Sequence, residues 1–342
     1  MATIYDVAKR ANVSPATVSN AFNRPHLIKA DTHERILQAA RDLNYTPNLF
    51  AKALAGGRTQ MVGLLVPDIR YPYTATLARG IEDVLTAEGY VSVIASTDGD
   101  GEKERRLLQQ LHRQGVDGFI LVPAQYGLSE ETLTAVQQLI SKGVPVVLAG
   151  ERTADERIAY VDFDSQNSTK EALDYLIQLG HRDIAFIGGR YTEGVAVSRW
   201  LGYQESLLKN RVPLRPELVI ETNMTPDDGA RALAHLLTLE NPPTAVFALN
   251  DLLAMGVIDL CYERQIRIPE QLSIVSFDYQ PMARRTTPAV TSVVVSTYEL
   301  GQKAAESLLH LQQPSNGAPA ASVPQLILPH RLAIRQTTAA RQ

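Results

Sequence analysis

Apolar and polar residues follow one another along most of the chain in a pattern that predicts strands followed by helices. From about residue 60, short apolar runs such as MVGLLV (61–66) precede amphipathic segments such as YTATLARGIEDVLTAEG (73–89). The alternation restarts after residue 163 and continues to LSIVSFD (272–278). Strands that alternate with helices of this length indicate parallel sheets covered by helices on both faces. Because the units are too many for one modest open sheet, we expect two similar lobes.

A different pattern, of short helices without strands, occupies the N-terminal end of the chain. Thr3 and Asp6 have the spacing of a capping box at the start of a first helix. Ser14 followed by Pro15 predicts the start of a second helix after a tight turn. Asp31 is the expected cap of a third. Two short helices joined by a tight turn indicate a helix-turn-helix, whose second helix enters the major groove of DNA.

The second helix is predicted to turn a small, polar face outward: Pro15, Ala16, Thr17, Ser19 and Asn20. Such side chains let a helix backbone come close to base edges. An asparagine can pair bidentately with adenine, and the methyl group of alanine or threonine can contact thymine. For this helix alone, a solvated polar face is the alternative interpretation.

Charge is unevenly distributed along the chain. Residues 1–58 contain eight Lys/Arg and four Asp/Glu, whereas the remainder contains 25 and 33, within a net charge of −4. A basic N-terminal piece on an acidic body is typical of a head that binds a polyanion, although chance variation over a short window would give the same count.

The overall composition is that of a globular protein, with 45% hydrophobic and 20% charged residues in 342. No apolar run is long enough for a transmembrane helix, and the N-terminus lacks the apolar core of a signal peptide, so we expect a cytoplasmic protein. Cys261 is the single cysteine, which excludes an intramolecular disulfide, and its apolar setting predicts a core position.

The segments TIYDVAKRANVSPATVSNAFN (3–23) and RILQAARDLNYTPNLFAKALAGG (35–57) closely resemble the head of the LacI/GalR family of bacterial transcription regulators. The resemblance implies an α-helical helix-turn-helix head followed by an α/β, two-lobed effector domain of the periplasmic-binding-protein-like type (type I), with parallel sheets. The implied domains are a head at 1–46, a hinge helix and linker at 47–58 and a core at 59–342. The core would comprise lobe 1 (about 59–161 and 292–322) and lobe 2 (about 162–291 and 323–338), with crossings near 161–163, 290–292 and 322.

The same resemblance implies where the chain contacts DNA. Pro15, Ala16 and Asn20 match positions that read bases, and Thr17 and Ser19 match positions near phosphates. Leu54 matches the hinge-helix leucine that wedges into a minor-groove step, and Ala51 is small enough for two hinge helices to approach. The full set of expected DNA contacts is Thr3, Ser14, Pro15, Ala16, Thr17, Ser19, Asn20, Asn23, Ala51 and Leu54.

Polar residues stand where the strands of the body end, and ligands of open parallel sheets bind at those carboxyl ends. Carboxylates and amides accept from sugar hydroxyls, arginine donates to ring oxygens, and aromatic faces cover apolar sugar faces. By resemblance, Arg199, Asn250 and Asp278 match frequent effector contacts. The expected effector-binding residues are Asp68, Tyr71, Tyr73, Arg199, Asn250 and Asp278.

Several of these polar positions have structural alternatives. Asp68 either binds ligand or orders the loop before Tyr71, and Asp251 is favoured as the cap of the helix that follows it. Core packing is the default for Trp200, and a local capping role for His181. Asp162 and Asp164 are close enough for a carboxylate pair, but the sequence favours helix capping or a position at the border of the cleft.

The function expected from these observations is that of a sequence-specific DNA-binding regulator. It would be a repressor, bind a palindromic operator as a homodimer, and respond to a small-molecule effector, most often a sugar or sugar derivative in this family. The chain contains none of the motifs of common catalytic sites, so we expect no enzyme activity, cofactor or metal. The alternative is a cytoplasmic α/β sugar-processing enzyme with an unrelated basic head.

Replacing the expected wedge tests the hinge assignment. Leu54→Ala should weaken binding to a specific operator far more than binding to unrelated DNA, because only a cognate site receives the inserted side chain. Titration of both duplexes in a mobility-shift assay measures the two losses. Equal losses on both duplexes would argue against the wedge.

Overall fold

The computed structural model describes residues 2–23, 25–45, 58–124, 128–189, 195–277, 285–313 and 322–341, and it divides into a helical head and an α/β body. The head contains α1 (Ile4–Ala11), α2 (Pro15–Asn23) and α3 (Ala30–Asp42), with a short 3-10 turn at Pro25–Leu27.

Apolar residues from α1, α2 and α3 form the core of the head: Val7, Ala8, Ala11, Val18, Ala21, Ile36, Ala39 and Ala40. The predicted capping box is present, since Thr3 and Asp6 exchange both of its hydrogen bonds. Helix α2 begins at Pro15 as predicted, with the Ser14 hydroxyl accepting from the Thr17 amide at 3.1 Å.

The predicted cap of the third helix is wrong by two residues. Helix α3 begins at Ala30, its N-cap is Lys29, and no side chain caps it. Ala30 is a strong helix former, so the helix extends ahead of Asp31. Asp31 then lies in the first turn, where its charge favours the positive end of the helix dipole.

The body is built from alternating strands and helices that fall into two lobes. The first lobe begins with β1 (Met61–Val66), α4 (Pro72–Ala87), β2 (Val91–Ser96), α5 (Gly101–Arg113), β3 (Gly118–Leu121), α6 (Glu130–Ser141), β4 (Val146–Ala149) and β5 (Ala159–Phe163). The second contains α7 (Ser165–Gln178), β6 (Ile184–Gly188), α8 (Val195–Lys209), a 3-10 turn (Pro216–Leu218), β7 (Val219–Glu221), α9 (Pro226–Leu236), β8 (Ala245–Ala248), α10 (Asp251–Glu263), β9 (Ser273–Phe277) and β10 (Thr291–Val295). The chain then continues through α11 (Thr297–Leu311), β11 (Gln325–Leu328) and β12 (His330–Ala333).

The strands of the described residues form two six-stranded sheets with the same connectivity, in the orders β11-β5-β4-β3-β1-β2 and β12-β10-β9-β8-β6-β7. Strands pair in parallel, as β1 does with β3, but β12 joins β10 in the antiparallel sense. The central strands β3, β4 and β8 are buried at every residue, which explains their unbroken apolar sequences.

In the part of the chain that the structure describes, three single residues connect the two lobes. Asp164 joins β5 to α7, Ser296 joins β10 to α11, and Pro329 joins β11 to β12. Each crossing lies at the carboxyl ends of the parallel strands, because α7 and α11 start where strands end and β12 pairs antiparallel to β10. The residues on either side of a one-residue link are at most about 7.6 Å apart. The carboxyl edges of the two sheets are therefore held close together.

These crossings lie later in the chain than the expected positions near 161–163, 290–292 and 322. Strand β10 stays in the second sheet because it pairs with β9 through Val293 and with β12 through Val295. The expected single final strand is divided between the sheets, because Pro329 has no N–H to continue a ladder and separates β11 from β12. Residues 325–328 accordingly belong to the first lobe.

The C-terminal residues close the amino-terminal edge of the second sheet. Thr337 exchanges hydrogen bonds with Ile274 at 2.7 and 2.6 Å, and its hydroxyl also accepts from the Thr291 amide. The Arg341 amide donates to the Leu179 carbonyl at 2.8 Å. Thr337 and Arg341 are thus part of the second lobe.

A second anchor fixes the segment that leads into β1. The Asp117 carboxylate accepts from the Thr59 and Gln60 amides at 3.0 and 2.7 Å, and the buried Thr59 hydroxyl donates to the Gly115 carbonyl at 2.6 Å. These bonds tie residues 59–60 to the turn before β3.

In the described chain, no helix is both long and apolar enough to cross a bilayer.

Close packing of α9 on α10 generates a testable prediction. A methyl group at Gly256 would lie 1.7 Å from the Pro226 carbonyl oxygen, so Gly256→Ala forces the helices apart. We expect a loss of about 1–3 kcal/mol or more in the free energy of unfolding, measured by urea denaturation. The matched control is Gly101→Ala in α5, where the nearest atom is the flexible Arg105 guanidinium at 3.9 Å. Gly101→Ala should keep the wild-type free energy of unfolding. Comparable losses of this free energy in both variants would show that the contact between α9 and α10 is not the cause of the destabilisation.

Candidate DNA-binding and effector sites

Helix α2 presents the predicted polar face at the surface of the head. Val18 and Ala21 are buried, whereas Ala16 is exposed and the other members of the predicted face are half-buried. Thr3 and Ser14 are exposed but engaged, the first with Asp6 and the second with the Thr17 hydroxyl at 2.8 Å. Asn23 ends α2. Ala51 and Leu54 lie outside the described residues.

Side-chain contacts from α3 fix the other two helices. The His33 imidazole contacts the Ala21 carbonyl of α2 at 3.1 Å, and the Arg35 guanidinium donates to the Ala11 carbonyl of α1 at 3.1 Å. Arg10 and Asp42 form an ion pair at 2.8 Å, which lowers the pKa of the Asp42 carboxyl. The pair is largely exposed, so it contributes little to stability. Its role is to hold α1 and α3 in register.

At the edge of the first sheet, the loop after β1 is ordered by Asp68. Its carboxylate accepts from the Arg70 amide at 2.8 Å and from the Arg70 guanidinium at 2.7 Å, which lowers the pKa of Asp68. This geometry favours the loop-ordering alternative for Asp68. Tyr71 then stands at the N-cap position of α4, and the Tyr73 hydroxyl lies 3.0 Å from where a side chain on Gly150 would begin.

At the edge of the second sheet, Arg199 contacts two neighbouring strands. It is buried in the first turns of α8, donates to the Leu249 carbonyl after β8, and lies 3.5 Å from the centroid of the Phe277 ring in β9. Leu249 and Phe277 immediately precede Asn250 and Asp278. The fold therefore places Arg199 against the chain segments that carry the other two expected contacts, although Asp278 itself lies outside the described residues.

The roles expected for Asn250 and Asp251 need correction. Asn250, not Asp251, caps α10, since its side-chain oxygen accepts from the Leu253 amide at 2.8 Å. The Asn250 amide nitrogen makes only a long contact of 3.5 Å with the Met224 carbonyl, so it can still donate to a ligand.

Asp251 is buried in the first turn of α10 and accepts hydrogen bonds from the hydroxyls of Ser276 in β9 and Ser292 in β10. This network was not predicted from the sequence. The available signal was a serine inside each of two otherwise apolar strands, because a buried hydroxyl requires a partner. The network ties the start of α10 to the two neighbouring strands β9 and β10.

The two aspartates at the first crossing have separate structural roles. Asp164 caps α7 through the Asn167 amide at 3.3 Å, which agrees with the capping alternative. Asp162 accepts from Arg152 at 2.9 Å. Burial raises the pKa of Asp162 despite this cation, whereas at Asp164 burial is outweighed by the bonds from Asn167 and by Arg152, so its pKa is lowered. Arg152 also donates to the Phe163 carbonyl and so secures the crossing.

Two other residues of interest are structural. Trp200 stacks on Tyr203, with ring centroids 5.4 Å apart, and packs against the core. Cys261 is fully buried, and burial raises the pKa of its thiol to about 12. The described residues contain no group of three or more His, Cys, Asp or Glu side chains placed to hold a metal ion.

His181 is also structural and lies in a polar contact with the C-terminal residues. One imidazole nitrogen is 2.9 Å from the Thr244 hydroxyl, and the other is 3.1 Å from the Ala339 carbonyl. Because a carbonyl can only accept, the second nitrogen carries the proton. Burial lowers the pKa of His181, the Ala339 bond opposes this shift, and the Arg341 charge adds to it.

Comparison with known proteins identifies both parts of the chain. Residues 3–48 match the model of bacterial regulatory proteins of the lacI family, and residues 173–338 match a periplasmic binding protein-like domain. The chain is 34% identical to catabolite control protein A of Staphylococcus xylosus over 98% of its own length and 99% of that protein. It belongs to the LacI family of bacterial regulatory proteins.

Solved structures support the same assignment. The lac repressor dimer bound to operator and the anti-inducer ONPF aligns with a TM-score of 0.87 at 26% identity, covering 99% of each chain. A LacI-family regulator from Enterococcus faecium with bound ribose aligns with a TM-score of 0.71 at 29% identity, covering 82% of this chain and 100% of that one. The LacI-family relatives are transcriptional regulators, so this chain is a DNA-binding regulator and not an enzyme.

The contact between His181 and the C-terminal residues predicts acid sensitivity. The folded state favours the neutral imidazole, whereas the unfolded chain takes up a proton below its ordinary pKa of 6.5. Stability should therefore fall as the pH decreases below 6.5. Thermal unfolding of the wild type and of His181→Gln between pH 7.5 and 5.5 measures this difference. His181→Gln should lose less stability than the wild type between pH 7.5 and 5.5. The control His235→Gln, which replaces an exposed histidine, should lose as much as the wild type. A pH profile unchanged in His181→Gln would contradict the assignment.

Proposed function

We propose that this LacI-family regulator is a repressor that binds a palindromic operator as a homodimer and is controlled by a sugar or a sugar derivative. The observation that carries the proposal is the set of three single-residue crossings, which hold the polar carboxyl edges of both sheets close together. Such an arrangement creates an effector site between the two sheet edges. A ligand bound there would change the relative orientation of the two lobes. We expect the protein to act in the cytoplasm, where its operator lies.

The head supplies the operator-binding surface in this proposal. Pro15, Ala16 and Asn20 contact bases, while Thr17 and Ser19 lie near phosphates, as the unburied face of α2 allows. Leu54 in the hinge segment would enter the minor groove between the two half-sites. The lac repressor, which resembles this chain along 99% of its length, is bound to its operator as a dimer, and this likeness supports both the operator and the pairing.

An exposed apolar edge in the body favours the dimer. Strand β2 is the terminal strand of the first sheet in the described chain, and its Val91 and Ile94 are 62% and 40% exposed. An unpaired edge strand with apolar side chains is a liability in a monomer, because it invites pairing with other chains. A second copy that covers this edge would remove the liability and place two heads on one palindrome.

The effector site combines donors, acceptors and aromatic faces from both lobes. In the second lobe, Arg199 and the Asn250 amide nitrogen would donate to hydroxyl or ring oxygens, and Asp278 would accept from hydroxyls. In the first lobe, the rings of Tyr71 and Tyr73 would cover an apolar sugar face. Asp68 contributes to the site indirectly, because its hydrogen bond from the Arg70 amide orders the loop that carries Tyr71. The ribose bound in the Enterococcus faecium relative supports a sugar as the ligand class.

Regulation follows from the crossings. A ligand that contacts both edges favours one lobe arrangement, and it shifts DNA binding only if that arrangement differs from the one the operator requires. Rotation about three short links would change the separation of the two hinge segments in a dimer. A coupling of about 1–3 kcal/mol is typical, which corresponds to a change of about 5- to 150-fold in operator affinity.

The proposal is tested with the full-length protein in two steps. Thermal-shift screening against sugars, sugar phosphates and nucleobases identifies a stabilising ligand. Mobility shifts on the DNA upstream of the protein's own gene then measure operator affinity with and without that ligand. We expect binding that the ligand weakens. Absence of DNA binding at low salt, or operator affinity that no stabilising ligand changes, would refute the proposal.

A single substitution separates effector binding from operator binding. Arg199→Ala should abolish the ligand-induced thermal shift and the ligand effect on DNA, while operator affinity without ligand stays nearly unchanged, because Arg199 lies in the body and not in the head. Arg264→Ala, which removes an exposed arginine at the end of α10, is the matched control and should respond as the wild type does. Loss of operator binding in Arg199→Ala with an intact thermal transition would show that the residue serves another role.

A further inference from the structure

We infer that α2 reads A·T base pairs in its operator, with Asn20 pairing to an adenine and Ala16 contacting a thymine methyl group. The inference rests on the proposed function and adds the base composition that this recognition helix accepts. It is carried by the residue types that α2 contains and by the way the head exposes two of them.

The composition of α2 excludes the usual readers of G·C pairs. Guanine is recognised by arginine or lysine, which donate twice to its O6 and N7, and cytosine N4 is recognised by a carboxylate acceptor. The sequence PATVSNAFN contains no arginine, lysine, aspartate or glutamate. Its amide side chains are Asn20 and Asn23, and bases are contacted mainly from the N-terminal part of a recognition helix. Asn20 is therefore the main candidate for a bidentate contact.

The packing of the head fixes which side of α2 is available. Val18 and Ala21 are buried in the core at 0% and 2% exposure. Ala16 and Asn20 lie four residues apart and so share one face of the helix. Ala16 is exposed and Asn20 is half-buried, so both reach the surface on the side away from the core.

Asn20 presents an unused donor and acceptor on this face. Its side chain makes no hydrogen bond to any other residue in the described part of the chain. An amide offers one oxygen acceptor beside one nitrogen donor, which matches the N6 donor and N7 acceptor of adenine. Guanine presents two acceptors at the same edge, so the amide oxygen would face another acceptor. Asn20 therefore discriminates between the two purines.

The other residues at the start of α2 offer no bidentate contact to a base, so the contact between Asn20 and adenine dominates base recognition. The hydroxyls of Ser14 and Thr17 bond to each other at 2.8 Å, and the Thr17 amide donates to Ser14 at 3.1 Å. Pro15 has no N–H and offers only an apolar ring. Ala16 contributes a methyl group, which is the partner of the thymine C5-methyl.

The spacing of the two residues predicts adjacent base positions. Four helical residues span about 6 Å, and successive base pairs are separated by about 3.4 Å. Ala16 and Asn20 therefore read positions within about two base-pair steps. A palindromic operator bound by a dimer would contain this short A·T element once in each half-site.

The experiment begins with selection of duplexes from a random-sequence pool by the full-length protein. We expect palindromic half-sites with adenine fixed at one position and thymine within two steps. Replacing that adenine by 7-deazaadenine removes N7, and replacing the thymine by uracil removes the methyl group. The first change should weaken binding by about 5- to 150-fold, with a smaller loss for the second. Retained affinity for the 7-deazaadenine duplex would overturn the inference.

Variants of the same residue complete the test. Asn20→Arg should change the selected base at that position from adenine to guanine and leave the rest of the half-site unaltered. Asn20→Ala should accept every base there. Lys9→Ala, which removes an exposed lysine of α1, is the control and should keep the wild-type preference. A wild-type operator fixed as guanine or cytosine at the α2 positions would refute this inference while leaving the proposed function intact. Failure to select any operator would instead refute the proposed function.

Discussion

The body depends on three one-residue links at the facing edges of its two sheets. Because Asp164, Ser296 and Pro329 each span the gap alone, the facing edges of the two sheets cannot separate at these points. Asp164 and Ser296 are also the N-caps of α7 and α11. Each side chain accepts a hydrogen bond from a backbone amide in the first turn of its helix, at 3.3 Å. The backbone at these two links is thus fixed by the helices that follow them.

The fold could be predicted from the sequence to a large extent, because apolar periodicity alone identifies buried strands and amphipathic helices. The crossings were placed too early, since strand β10 and the division at Pro329 are decided by pairing between distant segments, which local pattern does not contain. The Asp251 network was missed for the same reason: its two serine partners are 25 and 41 residues away. Predicted caps succeeded at Thr3 and Ser14, where the partner lies three residues on.

Side chains at the sheet edges have local structural roles as well as the proposed ligand contacts. Asn250 caps a helix through its oxygen, Asp68 orders a turn, and Arg199 bonds a carbonyl while lying over Phe277. Such bonds fix side chains before any ligand arrives, which lowers the entropy that binding must overcome. The same bonds explain why residue type alone could not separate the ligand-binding alternative from the structural one at Asp68 and Asp251.

The late return of the chain to both sheets has a consequence for biosynthesis. Strands β11 and β12 complete the first and second sheets, and both come from residues 325–333. Residues 337–341 then close the edge beside His181. The core of the head, by contrast, is formed within the first 45 residues. On the ribosome the DNA-binding head can fold early, whereas neither lobe is complete until residues 325–333 have been synthesised. A truncated product would therefore retain a head without the body that regulates it.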